Sequence, residues 1–314
     1  MPNVLPKPDV IGQLEQLKPR LVARAGLVCA VRRYFEAHGF IETITPVVIP
    51  APAPEEYIEA PPAADGFLRT SPELQMKALL AAGYERIYQI GPCFREKEFG
   101  RRHRPEFTML EWYQRDADYL KLAEFTRGML LAAAENRPGG TRLKRHGRTI
   151  DLAAPWQYIS VREAYRRFAD ADADAALVDD TFDPLMVEKI EPELGWNAPT
   201  ILFDYPAVRG SLARNKASDP TLAERWELYI GGLELANAYS ELRDAAEQRR
   251  RFAAAVAGRQ AYGGRPYPEP AEFYAALDYG LPECAGCALG MDRLAMVMTE
   301  ADDIAEVTFP AATS

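Results

Sequence analysis

From Glu106 to Gln114 the chain reads Glu-Phe-Thr-Met-Leu-Glu-Trp-Tyr-Gln, a pattern that suits an extended strand with alternating side chains. Phe107, Met109, Glu111 and Tyr113 then share one face, and Thr108, Leu110 and Trp112 the other. A carboxylate among such neighbours costs several kcal/mol to bury without a partner. A fold that buries this strand must therefore bring Glu111 a donor or a cation, and a cationic ligand would serve. A strand over 86–90 precedes it, and the charged stretch 95–104 fits the loop of an antiparallel hairpin joining the two.

The remaining pattern is that of an α+β chain. Leu27, Val31, Tyr34 and Phe35 have helical spacing, so a helix is expected over 21–38, ending at Gly39. A short strand over 40–45 stops at Pro46, and 50–65 is a Pro- and Ala-rich loop with at most a strand around 57–60. Helices are expected over 72–82, opening on Ser71, and over 120–135. The segment 138–147 reads as a polar connection, and the acidic, Ala-rich 170–183 as solvated surface. Two strand-like runs within 224–241 are separated by Gly231 and Gly232; a helix over 245–258, a strand over 286–290 and a helix over 292–298 follow. No repeat or composition break divides the chain, so 1–314 is expected to be one domain. Its mainly antiparallel central sheet would be flanked by helices.

Composition narrows the function classes. No apolar run approaches the roughly 20 residues of a membrane span, and the N-terminal stretch lacks a secretory pattern, which points to a cytoplasmic protein with no membrane partner. Four cysteines are too few for a disulfide framework, and Cys284-x-x-Cys287 lacks a second ligand pair at metal spacing. A net charge of −9 gives no global field to attract a polyanion such as tRNA, although Arg101, Arg102, His103 and Arg104 form a local basic patch.

Chemistry-bearing residues recur on the other strands. Asn237, Tyr239 and Glu241 share a strand face, and Glu227 and Glu234 flank the glycine turn. Arg95 at a strand end and Arg293 at a helix start are placed to meet phosphate oxygens with planar guanidinium forks. The sequence contains no P-loop, so any bound ATP is held in another way.

Phe94-Arg95, His103 and the run from Pro105 to Tyr113 resemble the second signature of class II lysyl-tRNA synthetases. Gly290-Met291-Asp292-Arg293-Leu294 resembles the third, and Phe40 to Pro46 the first. Thr70-Ser71-Pro72-Glu73 and the run from Glu234 to Glu241 extend the likeness from about Leu21 to the end. The synthetases carry an N-terminal anticodon-binding barrel, whereas the catalytic pattern here begins near Leu21. The chain therefore most resembles the truncated paralogues, the elongation factor P (R)-β-lysine ligases. Gly-Arg-Arg-His at 100–103, Leu-Glu-Trp-Tyr at 110–113 and Pro-Glu-Cys-Ala-Gly-Cys-Ala-Leu-Gly at 282–290 carry that likeness.

The resemblance implies the class II synthetase catalytic fold, and ATP with Mg²⁺. It also implies lysine or (R)-β-lysine activated as an adenylate and passed to a lysine of elongation factor P, without tRNA. By resemblance Ser71, Glu73, Glu111, Tyr113, Asn237, Tyr239 and Glu241 line the amino-acid pocket. Phe107 stacks on adenine, Arg95 holds the α-phosphate, and His103 with Arg293 the terminal phosphate; Arg95 and Arg293 are thus the catalytic cations. Glu234 and Gly290 belong to the ATP side, and Glu227 and Glu234 to Mg²⁺. Ala288 stands where the synthetases have glycine, and its methyl is expected to bias the pocket toward β-lysine. Two positions depart from the family pattern: Lys97 occupies the fourth place of Phe-Arg-x-Glu, with Glu98 following, and Arg104 precedes Pro105. The first signature implies a homodimer. Two other readings stay open: a minimal synthetase for α-lysine, and a non-catalytic amino-acid sensor.

Overall fold

The computed structural model describes residues 8–135 and 137–310. Its central hairpin pairs Arg86–Phe94 with Glu106–Arg115, with Arg86 opposite Gln114 and Phe94 opposite Glu106. Around it lies a nine-stranded sheet in the order Ile41–Glu42, Arg86–Phe94, Glu106–Arg115, Cys284–Gly290, Glu234–Ser240, Asp219–Tyr229, Thr200–Pro206 and Gln157–Ser160. Asn215–Lys216 pairs beside this path with Asp219–Tyr229. Only the two edge strands, Ile41–Glu42 and Gln157–Ser160, run parallel to their neighbours. The architecture is α+β with a mainly antiparallel sheet.

The alternation in the hairpin sorts its two faces. Leu110 and Trp112 point into the main core with Phe35, Leu122, Leu130 and Leu294, from the helices Asp9–Ala37, Tyr119–Ala134 and Met291–Met298. Phe35 stacks on Tyr88 with centroids 4.6 Å apart. Burying each large apolar side chain contributes about 1.5–3 kcal/mol, so this face is committed to packing. The opposite face is left for function.

Several segments differ from expectation. The first helix begins at Asp9, and its buried residues, Leu27, Val31 and Phe35, all lie in its second half. The first half has no inward stripe to reveal it, and Pro19 sits within. Gly39 takes φ 74°, as a helix-ending glycine does. The first-signature strand is reduced to Ile41–Glu42. No strand forms over 57–60; Val48–Ile49, Pro62–Ala63 and Gly66–Leu68 make a separate three-stranded sheet. The polar connection contains a hairpin, Arg142–Arg145 with Arg148–Asp151, whose two-residue turn puts His146 and Gly147 in the left-handed region.

The acidic stretch 170–183 is not simply solvated. Ala173, Ala176 and Phe182 are buried in a second core with Tyr165, Ile190 and Leu202. The helix Ala271–Gly280, which the sequence reading passed over, packs Phe273 and Leu277 near Leu74 and Leu80 of the helix Glu73–Ala81. Cys284 and Cys287 are buried free thiols in different clusters, Cys287 in the main core and Cys284 in the third. Among the described residues no helix is long and apolar enough to cross a membrane.

Candidate active site

Strand register assembles the site floor. Glu111 stands opposite Ala288, Ala288 opposite Asn237, and Asn237 opposite Glu227, a single row across four strands. Two residues along, Tyr113, Gly286, Tyr239 and Arg225 form a parallel row on the same face. Over these rows lie two adjoining cavities, of about 370 and 140 Å³, which share Arg95, Met109, Arg225, Asn237 and Ala288.

The smaller cavity is acidic. Glu111 accepts from the Ser71 hydroxyl at 2.7 Å and the Tyr113 phenol at 2.6 Å, and Glu73 accepts from Tyr239 at 2.6 Å. Burial, reinforced by the Glu73 charge, pushes the Glu111 carboxyl up to about 7. Lys77, one helical turn after Glu73, reaches Glu73 at 2.6 Å and Glu241 at 2.5 Å. Burial opposes its charge, but the carboxylates of Glu241 and Glu73 outweigh burial and raise its pKa. Glu241 is absent from the cavity lining. It lies behind Gly286, where an added Cβ would collide with the Tyr113 ring and the Glu241 carboxylate.

The larger cavity carries the cations. The Arg95 guanidinium lies over the Phe107 ring, 5.2 Å from its centroid, and the buried Nε of Arg95 has no partner among the described residues. Glu98 approaches Arg95 at 3.7 Å, so the residue after Lys97 faces this cation. Arg293 donates to the Glu234 carbonyl at 2.9 Å and contacts His103 Nε2 at 2.5 Å. Burial and the Arg293 charge lower the His103 pKa, favouring the neutral imidazole that accepts this bond. Gly290 caps the helix that starts with Met291, and Asp292 anchors that end by accepting from Thr108 N at 2.7 Å and Arg24 at 2.5 Å.

A family model, tRNA synthetases class II (D, K and N), matches residues 11–313. The chain belongs to this family. Similar curated proteins include the lysine–tRNA ligases of Methylobacillus flagellatus and Azoarcus sp., each 35% identical over 93% of the chain. The lysine–tRNA ligase of Moorella thermoacetica is 33% identical over 93%. The chain spans 62–65% of the length of these relatives.

The sheet and helices described above are the class II catalytic fold, and the family in general uses ATP and Mg²⁺. The residues present fit a hard cation. Glu234 lines the larger cavity with its carboxylate 3.2 Å from Arg293, and Glu191, outside that lining, is close enough to Glu234 and Glu227 that their charges, with burial, push its carboxyl up to about 7. Glu227 is less free than the sequence implied. Its oxygens accept from Tyr205 at 2.5 Å, Tyr229 at 2.6 Å and Arg225 at 2.5 Å. Among the described residues no three potential ligands converge in metal-binding geometry. Mg²⁺ commonly takes one or two carboxylates and completes its shell with water and phosphate.

Sequence reasoning missed Lys77, Glu55, Glu191, Arg225 and Asp292. Lys77 stands four residues after Glu73, a spacing that could have flagged an ion pair. Arg225 shares strand parity with Glu227. Glu55 and Glu191 lie in a loop and a short turn whose placement depends on tertiary packing.

Proposed function

We propose that the protein activates (R)-β-lysine with ATP as its adenylate and transfers it to a lysine side chain of elongation factor P. The observation that carries the first step is the adjacency of a buried acidic pocket, Glu73 and Glu111, to a cavity holding Arg95 and Arg293. An ammonium group placed against these carboxylates gains charge-assisted hydrogen bonds, and the same groups have too little room and too much charge to welcome an apolar side chain. ATP would lie across Phe107, its α-phosphate toward Arg95 and its terminal phosphate toward His103 and Arg293. The amino-acid carboxylate then attacks the α-phosphorus in line and the bond to pyrophosphate breaks. The fixed guanidinium groups stabilise the charge that grows on the phosphate oxygens. Mg²⁺ held through Glu234, with Glu227 or Glu191 nearby, would neutralise phosphate charge when bound.

Ala288 supports β-lysine, since its methyl sits between Glu111 and Asn237 in the pocket row. The lysine–tRNA ligase relatives support a second reading, activation of α-lysine. Amino-acid-dependent exchange of pyrophosphate into ATP decides between them. Strongest exchange with (R)-β-lysine supports the ligase, and strongest exchange with α-lysine supports the synthetase. No exchange with either refutes activation altogether and favours a sensor.

A further inference from the structure

The loop over 50–60 brings Glu55 to a place where the two cavities of the site meet an outer groove. Glu55 lines the larger cavity, the smaller cavity and a third space of about 510 Å³ opening to the surface beside Tyr57 and Val208. Ser211 stands with it on the partition between groove and amino-acid cavity. The loop is fixed from behind: Arg259, 2% exposed, donates to the carbonyls of Glu55 at 2.5 Å and Ile58 at 2.7 Å and to the Glu59 carboxylate at 2.9 Å. The backbone is thus held while the Glu55 carboxylate, among the described residues, makes no hydrogen bond or ion pair.

The groove's lining carries three arginines and three glutamates, and the glutamates without an ion pair among the described residues stand together at its inner end, Glu55 and Glu56. Its arginines are already engaged, Arg209 with Asp183 and both Arg250 and Arg251 with Glu247. Glu55 and Glu56 are left unpaired among the described residues. The rim is partly apolar, with Tyr57 61% and Val208 77% exposed. A flexible cationic side chain from a protein surface fits this combination: a hydrophobic landing and an acidic passage inward.

We propose that Glu55 is the base of the second half-reaction, and that the acceptor's lysine side chain reaches the adenylate through this groove. The inference rests on the amine acceptor proposed above. Adenylate formation releases no proton from the amino-acid carboxylate, whereas amide formation must remove protons from an ammonium group. An unperturbed lysine is neutral well under about 1% of the time at pH 7. The Glu55 carboxylate takes one proton from the ammonium, and the freed lone pair forms the C–N bond to the adenylate carbonyl. The tetrahedral intermediate collapses, the C–O bond to phosphate breaks with its electron pair on AMP, and the second amine proton leaves with the departing phosphate. Burial pushes the Glu55 carboxyl up, against the opposing charge of Arg95 and Arg225, while Glu73 and Glu98 add to the rise. That shift suits a base working near neutrality.

The test compares wild type with Glu55→Gln in three assays using the amino acid that wild type activates: pyrophosphate exchange, hydroxamate formation with hydroxylamine, and transfer to elongation factor P. Hydroxylamine is largely neutral at pH 7 and needs no base to attack. Because Glu55 also lines the cavities where the adenylate forms, the expected result is a loss in transfer at least about a hundredfold larger than any loss in exchange and hydroxamate, a size typical of a lost general base. The transfer defect should shrink as pH rises toward the amine's own pKa. A second variant, Ala254→Trp, should raise the half-saturating concentration of elongation factor P by narrowing the groove, on whose wall Ala254 lies. Transfer by Glu55→Gln at the wild-type rate overturns the proposal, as does an equal loss in all three assays, which would make Glu55 a substrate-holding residue. If wild type forms hydroxamate but modifies no elongation factor P, the acceptor reading fails first, and visibly, before any substitution is made.

Discussion

The Lys77 ammonium lies 2.5 Å from Glu241 and 2.6 Å from Glu73, and only 1% of its side chain is exposed. Three acids, Glu73, Glu111 and Glu241, gather at this end of the site, and Lys77 offsets one of them. Burial raises the carboxyls of Glu111 to about 7 and Glu241 to about 8, so the formal balance of two negative charges is reached only when cations arrive, as the two ammonium groups of the substrate would. Lys77→Met leaves that charge unopposed in a buried place. The expected outcome is a loss of roughly 3–5 kcal/mol in chemical denaturation, the usual cost of breaking one side of a buried pair. Saturating substrate should recover part of it, because its ammonium groups supply the missing cation. Equal loss with and without substrate would separate Lys77 from the pocket's charge balance.

Glu111 sets a pH dependence. Burial beside Glu73 raises its carboxyl to about 7, so in the free protein it takes up a proton as the pH falls below neutrality. A bound ammonium favours the ionised form, so binding releases that proton. The apparent Kd for the amino acid should therefore weaken as pH falls from about 8 to 6, approaching about tenfold per unit below the raised value. Calorimetry in buffers of different ionisation enthalpy would measure the released proton. The stability of the free protein follows the opposite sign. With its folded pKa above the ordinary 4.5, Glu111 favours folding at low pH and loses that contribution as pH rises through about 7.

Ala288 stands directly between Glu111 and Asn237 in strand register, so its methyl projects into the amino-acid cavity. Ala288→Gly removes one methyl from a confined wall, a change that discriminates by about 1–3 kcal/mol. The ratio of α-lysine to (R)-β-lysine exchange should move toward α-lysine by about tenfold or more. An unmoved ratio withdraws Ala288 as the specificity residue.

The site was legible where the chain is periodic. The face shared by Phe107, Met109, Glu111 and Tyr113 could be read from alternation alone, because a strand leaves a side chain only two choices. The pairing of Glu111 with Ala288 and Asn237 could not, since register between distant strands is set by packing of the whole sheet. Glu55 was hidden for a similar reason. Its loop has no period, and its place comes from Arg259, some 200 positions away in sequence. The second core was missed because alanines at 173 and 176 look like surface composition until Tyr165 and Leu202 pack over them.

The strip after the first helix makes the homodimer testable. Ile41 and Ile44 are 55% and 95% exposed, on or just after the edge strand Ile41–Glu42 that closes one side of the main sheet, and Val48, which opens the separate three-stranded sheet, is 46% exposed. An edge strand offers unpaired backbone groups, and large aliphatic side chains beside it favour covering by another chain. A two-fold axis here would let the same strip on each copy cover the other. Ile44→Asp places a charge at the most exposed of the three positions, where the folded monomer tolerates it without repacking. Sedimentation should therefore show a dimer for the wild type and a monomer for the variant at equal concentration, with the monomer's helical content retained. A wild type that sediments as a monomer, or a variant that remains dimeric, removes this strip as the interface.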